Sequence, residues 1–151
     1  MIYLHILGHG ATKSAISDSK GHLFERLIRD LFEHLKMSVT QLNKSENGKE
    51  IDIDGVTTVG NVKFFAECKA QNDTLDATDI QKFGFKFVTK RKRDRDVKGF
   101  LFTLSRLNPK AQEIWDHDLV GEYPNHVMCY GHDDIVKLLL EHHGLTGADS
   151  I

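Results

Sequence analysis

Apolar residues recur at helical spacing near the start of the chain. From residue 24 to 35 they follow the i, i+3, i+4, i+7 rule, which predicts an amphipathic helix of about four turns. Serine and aspartate near residue 19 predict where this helix begins. The polar segment TQLNKSENGK follows and is interpreted as the approach to a hairpin. The apolar positions of the helix are Phe24, Leu27, Ile28, Leu31 and Leu35.

Polar and apolar residues then alternate with period two in EIDIDGVTTVGNVKFFAECKA, residues 50–70. This alternation predicts two strands of a β-hairpin. Asp52 and Asp54 share one face of the first strand, and Glu67 and Lys69 share one face of the second. Acidic residues are poor strand formers, so their concentration here requires a chemical reason.

The length of the hairpin turn decides which carboxylates meet. A two-residue turn at 60–61 sets Asp54 opposite Glu67, whereas a four-residue turn at 58–61 sets Asp52 opposite Glu67. In either register an aspartate faces a glutamate with a lysine beside them. Opposed carboxylates repel each other unless a positive charge lies between them. Hard carboxylate oxygens suit Mg²⁺, so the hairpin predicts a magnesium site.

Helices and strands alternate through the second half of the chain. The predicted order is helix, two or three strands, helix, strand, helix, strand, helix, which indicates an α/β fold: a three-layer sandwich with a mixed central sheet flanked by helices. The segments are TLDATDIQKFGFKFVTKRKR (a helix capped by Asp76 or Thr78), VKGFLFTLS (a buried strand), NPKAQEIWDHDL (a helix), HVMCY (a strand) and HDDIVKLLLEHHG (a helix ending at Gly144).

Composition narrows the class of protein. The 151 residues suit one domain, and 40% hydrophobic with 28% charged residues is typical of a globular protein. A net charge of −2 argues against coating nucleic acid by overall charge but permits a local basic surface. No apolar run reaches membrane-spanning length, so no membrane partner is expected. Cys68 and Cys129 form no disulfide framework, which favours a reducing, cytoplasmic compartment.

The motifs EIDIDG and AECKA together resemble the PD-(D/E)xK nuclease signature, and the chain from about Gly21 to Leu140 resembles the Mrr-like restriction endonucleases. GHLFERLIRDLF is similar to the opening helix of that family, DVKGFLFTLSRLNPKAQEI to the strand and helix after the active site, and HVMCYGHDDIVKLLL to the closing strand and helix. No proline precedes either aspartate, and some relatives carry glutamine where this chain has Glu67. The resemblance implies a nuclease domain at 18–145, after an unassigned segment 1–17 containing the strand-like IYLHIL. Residues 146–151 are interpreted as a flexible tail or a point of truncation.

The resemblance also implies a function and a set of site residues. It implies a Mg²⁺-dependent DNA endonuclease, with Mn²⁺ able to substitute, acting as the effector of a prokaryotic restriction or anti-phage defence system. The alternatives are a nuclease like the Holliday-junction resolvases and a non-catalytic nucleic-acid-binding domain of the same fold. The metal ligands are expected among Glu25, Asp52, Asp54 and Glu67, and the catalytic residues are Asp52, Asp54, Glu67, Lys69 and Gln81.

Several of these assignments keep alternatives. Asp52 is the preferred main ligand, but the turn leaves Asp54 open. Glu25 could equally be a solvated helix charge, and Gln81 a surface residue. Lys69 is expected to orient or deprotonate the attacking water.

The basic run TKRKRDRD can grip DNA phosphates or form a solvated helix end. Its cationic residues are Lys90, Arg91, Lys92, Arg93 and Arg95. The expected partners are DNA, further copies of the chain in a dimer or larger oligomer, and a regulatory or sensor domain or protein.

Overall fold

The computed structural model describes residues 13–46, 48–71 and 73–144, with side chains from residue 22 onward. IYLHIL and the tail 146–151 lie outside the described residues. No helix in the described ranges has the length and apolar content needed to cross a membrane. In chain order the elements are α1 Lys13–His34, β1 Met37–Lys44, β2 Glu50–Thr57, β3 Lys63–Lys69, α2 Ala77–Arg93, β4 Lys98–Thr103, α3 Pro109–Ile114, a π-helix Trp115–Val120, β5 Val127–Tyr130 and α4 His132–His142.

The five strands form one mixed sheet in the order β1-β2-β3-β4-β5. The first three are antiparallel neighbours, and β3, β4 and β5 run parallel. This arrangement confirms the mixed sheet and places the hairpin strand β3 at its centre. The third strand that the sequence left open is β1, which takes in the first half of TQLNKSENGK. As an edge strand with only Met37 buried, β1 needs few apolar residues.

Two hydrophobic cores lie on opposite faces of the sheet and make the molecule a three-layer sandwich. On one face α1 and α4 pack over Phe64, Ala66 and Cys68. On the other face α2, α3 and the π-helix pack over Phe65 and Leu101. The predicted α/β sandwich is therefore confirmed. Because side chains alternate along β3, Glu67 and Lys69 share the face of Phe65 and lie under α2.

The helix ends follow local capping chemistry, with one correction. Asp76 caps α2 in a capping box with Asp79, which decides between the two predicted caps. Asn108 caps α3, and Gly144 follows α4 with a φ of +75°, as expected for a helix stop. The predicted start of α1 near residue 19 was wrong, because the helix begins at Lys13 and the serine–aspartate pair lies inside it.

Candidate active site

The hairpin turn fixes which carboxylates meet. Thr57 N–H donates to the Val62 carbonyl at 2.8 Å, leaving a four-residue turn at 58–61. In the resulting register Asp52 lies opposite Glu67, and Glu50 lies opposite Lys69. Of the two predicted registers, the four-residue one is confirmed.

Three carboxylates converge at the open end of this hairpin. Glu50, Asp52 and Glu67 each place one oxygen within 4.8 Å of the others. Glu67 is almost fully buried, at 1% exposure, whereas the side chains of Asp52 and Glu50 are 32% and 42% exposed. The group is therefore anchored in the sheet on one side and open to solvent on the other.

Lys86 of α2 lies between these carboxylates. Its Nζ is 2.7 Å from Glu67 Oε1, 3.0 Å from Asp52 Oδ2 and 4.0 Å from Glu50 Oε1. The helix holds it there because the neighbouring turns bury Phe83 and Phe87 in the core. Partial burial alone would lower the pKa of Lys86, but its hydrogen bonds to Glu67 and Asp52 raise it above the usual value. The lysine is therefore held as an ammonium ion.

Burial and the neighbouring lysines shift the pKa of Glu67 in opposite directions. Loss of solvent raises the pKa of Glu67 above its usual value, although Lys86 and Lys69 favour the ionised form. Glu67 Oε2 and Asp52 Oδ1 are buried and accept no hydrogen bond from the described residues. Buried carboxylate oxygens without partners are costly, so the site has binding capacity that one ammonium group does not fill.

The local charge balance fits a divalent cation. In the described part of the chain, the ion pairs of Lys69 and Lys86 join four carboxylates to two ammonium groups, and this excess of two equals the charge of one such ion. Clustered carboxylate oxygens with solvent access are the ligand set that Mg²⁺ and Mn²⁺ prefer. The four carboxylates are those of Glu50, Asp52, Glu67 and Asp79.

Lys69, the lysine of the AECKA motif, is buried at the edge of the acidic group. Its Nζ lies 3.5 Å from Glu50 Oε1 and 3.7 Å from Asp79 Oδ1. Both distances are longer than a direct ammonium–carboxylate hydrogen bond, so the ammonium group is attracted without being tightly held. Asp79 thus closes the capping box of α2 and also faces the motif lysine.

The remaining predicted acidic residues have other partners. Asp54 pairs with Lys90, whose Nζ lies 2.9 Å from Asp54 Oδ1. Glu25 pairs with Lys44 at 2.6 Å and Arg29 at 3.0 Å, and the hydrogen bond from Lys44 lowers the pKa of Glu25. The structure therefore does not bring Asp54 or Glu25 into the group of three carboxylates.

Gln81 is exposed on α2. At 3.6 residues per turn it points about 140° around the helix from Lys86. It lines a shallow surface depression that Phe85 and Lys86 also border. Gln81 is therefore near the site, but on another face of its helix.

The basic run at the end of α2 divides into two parts. Lys90 is engaged with Asp54 and the Phe65 ring, and the Arg91 guanidinium lies over the Tyr123 ring and donates to the Arg95 carbonyl. The side chains of Lys92, Arg93 and Arg95 are exposed and form no ion pair with the part of the chain that the structure describes. Three cations are thus free to meet an anionic ligand.

Sequence reasoning missed two residues of the site. Glu50 precedes Asp52 by two positions, so the period-two rule that grouped the aspartates also places Glu50 on their face. Lys86 carries no comparable signal, because its approach to Glu67 depends on how α2 packs across the sheet.

A mixed sheet between two helical layers, with facing carboxylates and a lysine on its central hairpin, defines the restriction endonuclease-like class of nucleases. The family model Mrr_cat, described as a restriction endonuclease, matches residues 16–120. The chain therefore belongs to this restriction endonuclease family and is a nuclease domain of that class.

Three solved structures are similar to the chain. EndoMS in apo form has a TM-score of 0.46 at 12% identity, covering 74% of this chain and 44% of its own. The DNA modification-dependent restriction endonuclease AspBHI has a TM-score of 0.48 at 19% identity, and the match covers 95% of this chain and 35% of the AspBHI chain. The MspJI restriction endonuclease in complex with a 27-mer oligonucleotide has a TM-score of 0.47 at 14% identity, and the match covers 99% of this chain and 32% of the MspJI chain. This chain spans less than half the length of each of them. No curated protein matches it significantly.

Proposed function

We propose that this domain is a Mg²⁺-dependent endonuclease that hydrolyses phosphodiester bonds of DNA. The observation that carries the proposal is the pair of buried carboxylate oxygens, Asp52 Oδ1 and Glu67 Oε2, which lack hydrogen-bond donors in the described structure. A fold that buries them beside a third carboxylate, Glu50, gives up stability at this point. Such a loss of stability is expected where the function of the protein requires the charged groups.

Glu50, Asp52 and Glu67 would hold the metal ion. A bound divalent cation supplies polarisation of the scissile phosphate and a lower pKa for a coordinated water. The three carboxylates come from adjacent strands of the sheet, so their backbone positions are fixed before substrate arrives. We expect Mn²⁺ to substitute for Mg²⁺, since both accept carboxylate oxygens.

Lys69 is proposed to act on the water and on the charge that develops at the phosphate. Its side chain is buried at 7% exposure, and its ammonium group faces the carboxylates without a direct hydrogen bond to them. A buried cation in this position stabilises negative charge more strongly than one in water. Lys69 would therefore orient the nucleophile and neutralise the phosphate.

DNA would be held through its backbone. Lys92 and Arg93 lie in the last turn of α2, the same helix that lies over the carboxylates, and Arg95 follows two residues after the helix ends. Contacts of this kind position a duplex without reading its sequence. Sequence or modification specificity would come from another domain or protein, and a dimer or larger oligomer would supply two active sites for both strands. We assign the domain to the cytoplasm, as an effector of prokaryotic restriction or anti-phage defence.

The test is cleavage of supercoiled plasmid with Mg²⁺, with Mn²⁺ and with EDTA. Cleavage is expected with either metal and not with EDTA, and both Glu67→Ala and Lys69→Ala should abolish it. Glu113→Gln, which changes an exposed carboxylate on α3, is the matched control and should cleave like the wild type. Full activity in the Glu67 and Lys69 variants would contradict the proposal. Four-way junctions in the same assay would reveal a structure-selective nuclease.

A further inference from the structure

Lys86 occupies the centre of the three-carboxylate group. Its ammonium nitrogen lies within 4.0 Å of one oxygen of Glu50, of Asp52 and of Glu67. Those residues are also the ones whose oxygens lie close enough together to share a metal ion. A single point cannot hold both an ammonium group and a divalent cation at coordination distance.

We propose that Lys86 is a built-in counter-ion of the metal site, which fills the site when no metal is bound and which a divalent cation must displace. This inference rests on the proposed metal-dependent function. It concerns a residue outside the predicted motif, on a helix rather than on the hairpin.

Lys86 is an incomplete substitute for a divalent ion. It carries one charge, and it leaves one buried oxygen on Asp52 and one on Glu67 without a donor. Two opposed carboxylates with no cation between them would repel each other across the strand pair. The ammonium group thus keeps the metal-free site folded while leaving it able to gain from metal entry.

The lysine side chain can leave without disturbing the core. Its side chain is 36% exposed, in contrast to the fully buried Phe83 and Phe87 that anchor the helix. A flexible four-carbon stem allows the ammonium group to move to solvent or to a DNA phosphate while α2 stays in place. Displacement therefore breaks the hydrogen bonds to Asp52 and Glu67 but requires no movement of the helix.

If Lys86 competes with the metal ion, the Lys86→Met substitution should lower the stability of the metal-free protein but raise its affinity for Mn²⁺. In EDTA the variant should unfold at a lower temperature than the wild type, since Glu67 and Asp52 lose their shared cation. Mn²⁺ should nevertheless bind the variant more tightly, by about tenfold or more, because no ammonium group has to be displaced. A lysine with a purely structural role would lower stability and leave metal affinity equal or weaker.

The experiment measures Mn²⁺ affinity from the electron paramagnetic resonance signal of the free ion, on the full chain without DNA. Lys90→Met is the matched control: this lysine lies on the same helix with similar exposure and pairs with Asp54, outside the three-carboxylate group. The control accounts for the general loss of one positive charge. Lys86→Gln, which keeps a hydrogen-bond donor, should tighten Mn²⁺ binding in the same direction and serves if Lys86→Met does not fold.

Tighter Mn²⁺ binding by the Lys86 variants than by Lys90→Met supports the proposal. Equal or weaker binding overturns it, and weaker binding would make Lys86 a positioning residue for the ligand carboxylates. Absence of Mn²⁺ binding in wild type and variants alike would overturn the metal-dependent function as well. The two failures are therefore distinguishable.

Discussion

Asp52 and Glu67 lie directly opposite each other on the antiparallel strands β2 and β3. Two carboxylates in this relationship destabilise a sheet unless a cation joins them. In the described structure the cation is Lys86, which donates a hydrogen bond to each. The site thus combines unfavourable burial of negative charge with the geometry that metal-assisted hydrolysis needs, and variants of single residues can separate the two effects.

Glu67→Gln should lower the rate of cleavage about a hundredfold or more. In the metal-free protein, the variant should also become more stable relative to the wild type as pH rises. Burial raises the pKa of Glu67 above its ordinary value of 4.5, so ionisation of this group opposes folding. The stability that the protonated form provides is fully present below that ordinary value. It is lost as pH rises through the raised pKa of the folded protein.

The measurement is thermal unfolding of the wild type and Glu67→Gln in EDTA across a pH series. Gln does not ionise, so the midpoint of the variant should rise relative to the wild type from about pH 4.5 upward and then level off. Only the change of this difference with pH is interpreted, because any effect of the amide on stability that does not depend on pH is constant across the series. A difference that falls with increasing pH would show that ion pairing with Lys86, and not burial, dominates the Glu67 carboxylate.

Asp52→Asn and Asp54→Asn should differ sharply in cleavage activity, although both change an aspartate of β2. Asp52 shares the group with Glu50 and Glu67, so its loss should lower Mg²⁺-dependent cleavage about a hundredfold or more. Asp54 pairs with Lys90 at a partly exposed position, so its loss should change the free energy of unfolding by less than about 1 kcal/mol. Most of the cleavage activity should remain. Plasmid cleavage and urea unfolding of the two variants decide the matter, and equal loss of activity would restore Asp54 as a ligand.

Replacing Lys92, Arg93 and Arg95 together by glutamine should weaken DNA binding without unfolding the protein. All three are exposed, and each phosphate contact contributes about 0.9 to the slope of log affinity against log salt. The slope should therefore fall by up to about 3. Fluorescence anisotropy with a labelled duplex in Ca²⁺ at several salt concentrations measures it. Lys110→Gln, on α3, is the control, and an unchanged slope in the triple variant would assign the basic run to a solvated helix end.

Gly99→Ala should destabilise the domain by about 1–3 kcal/mol through overpacking beneath α2. A methyl group at Gly99 would lie 2.7 Å from the Phe87 ring and 3.2 Å from the Phe83 ring. Both rings are fully buried, so neither can give way easily. Urea unfolding measures the change. Gly131→Ala, whose methyl would meet only Asp134 at 3.9 Å, should cost less, about 1 kcal/mol or below, because only the N-cap of α4 is weakened; equal effects at both glycines would contradict the packing argument.

The fold could be predicted from the sequence because its periodicities are strong. The helical spacing in α1 and α2 and the apolar run of β4 describe buried faces that the structure reproduces. The strand β1 was left open, because an edge strand with mostly exposed side chains lacks an apolar alternation. The early start of α1 was missed, because polar residues inside its first turns resemble a cap.

The candidate site could be predicted only in part. Strand periodicity placed Asp52 and Glu67 on one face, and the turn length that sequence left open was needed to set them opposite each other. Glu50 was available from the same periodicity. Lys86 was not, because local patterns do not specify which polar residue of a covering helix will contact a given strand. Long-range packing is the information that the sequence pattern lacks.

The anomalous difference map of a crystal soaked in Mn²⁺ tests most directly whether Asp52 and Glu67 bind a metal ion in place of Lys86. We expect a single strong peak bound by Asp52 and Glu67, with the Lys86 ammonium group moved away from both carboxylates. A map without a peak at this position, with Lys86 still hydrogen-bonded between Asp52 and Glu67 at saturating Mn²⁺, would contradict this expectation.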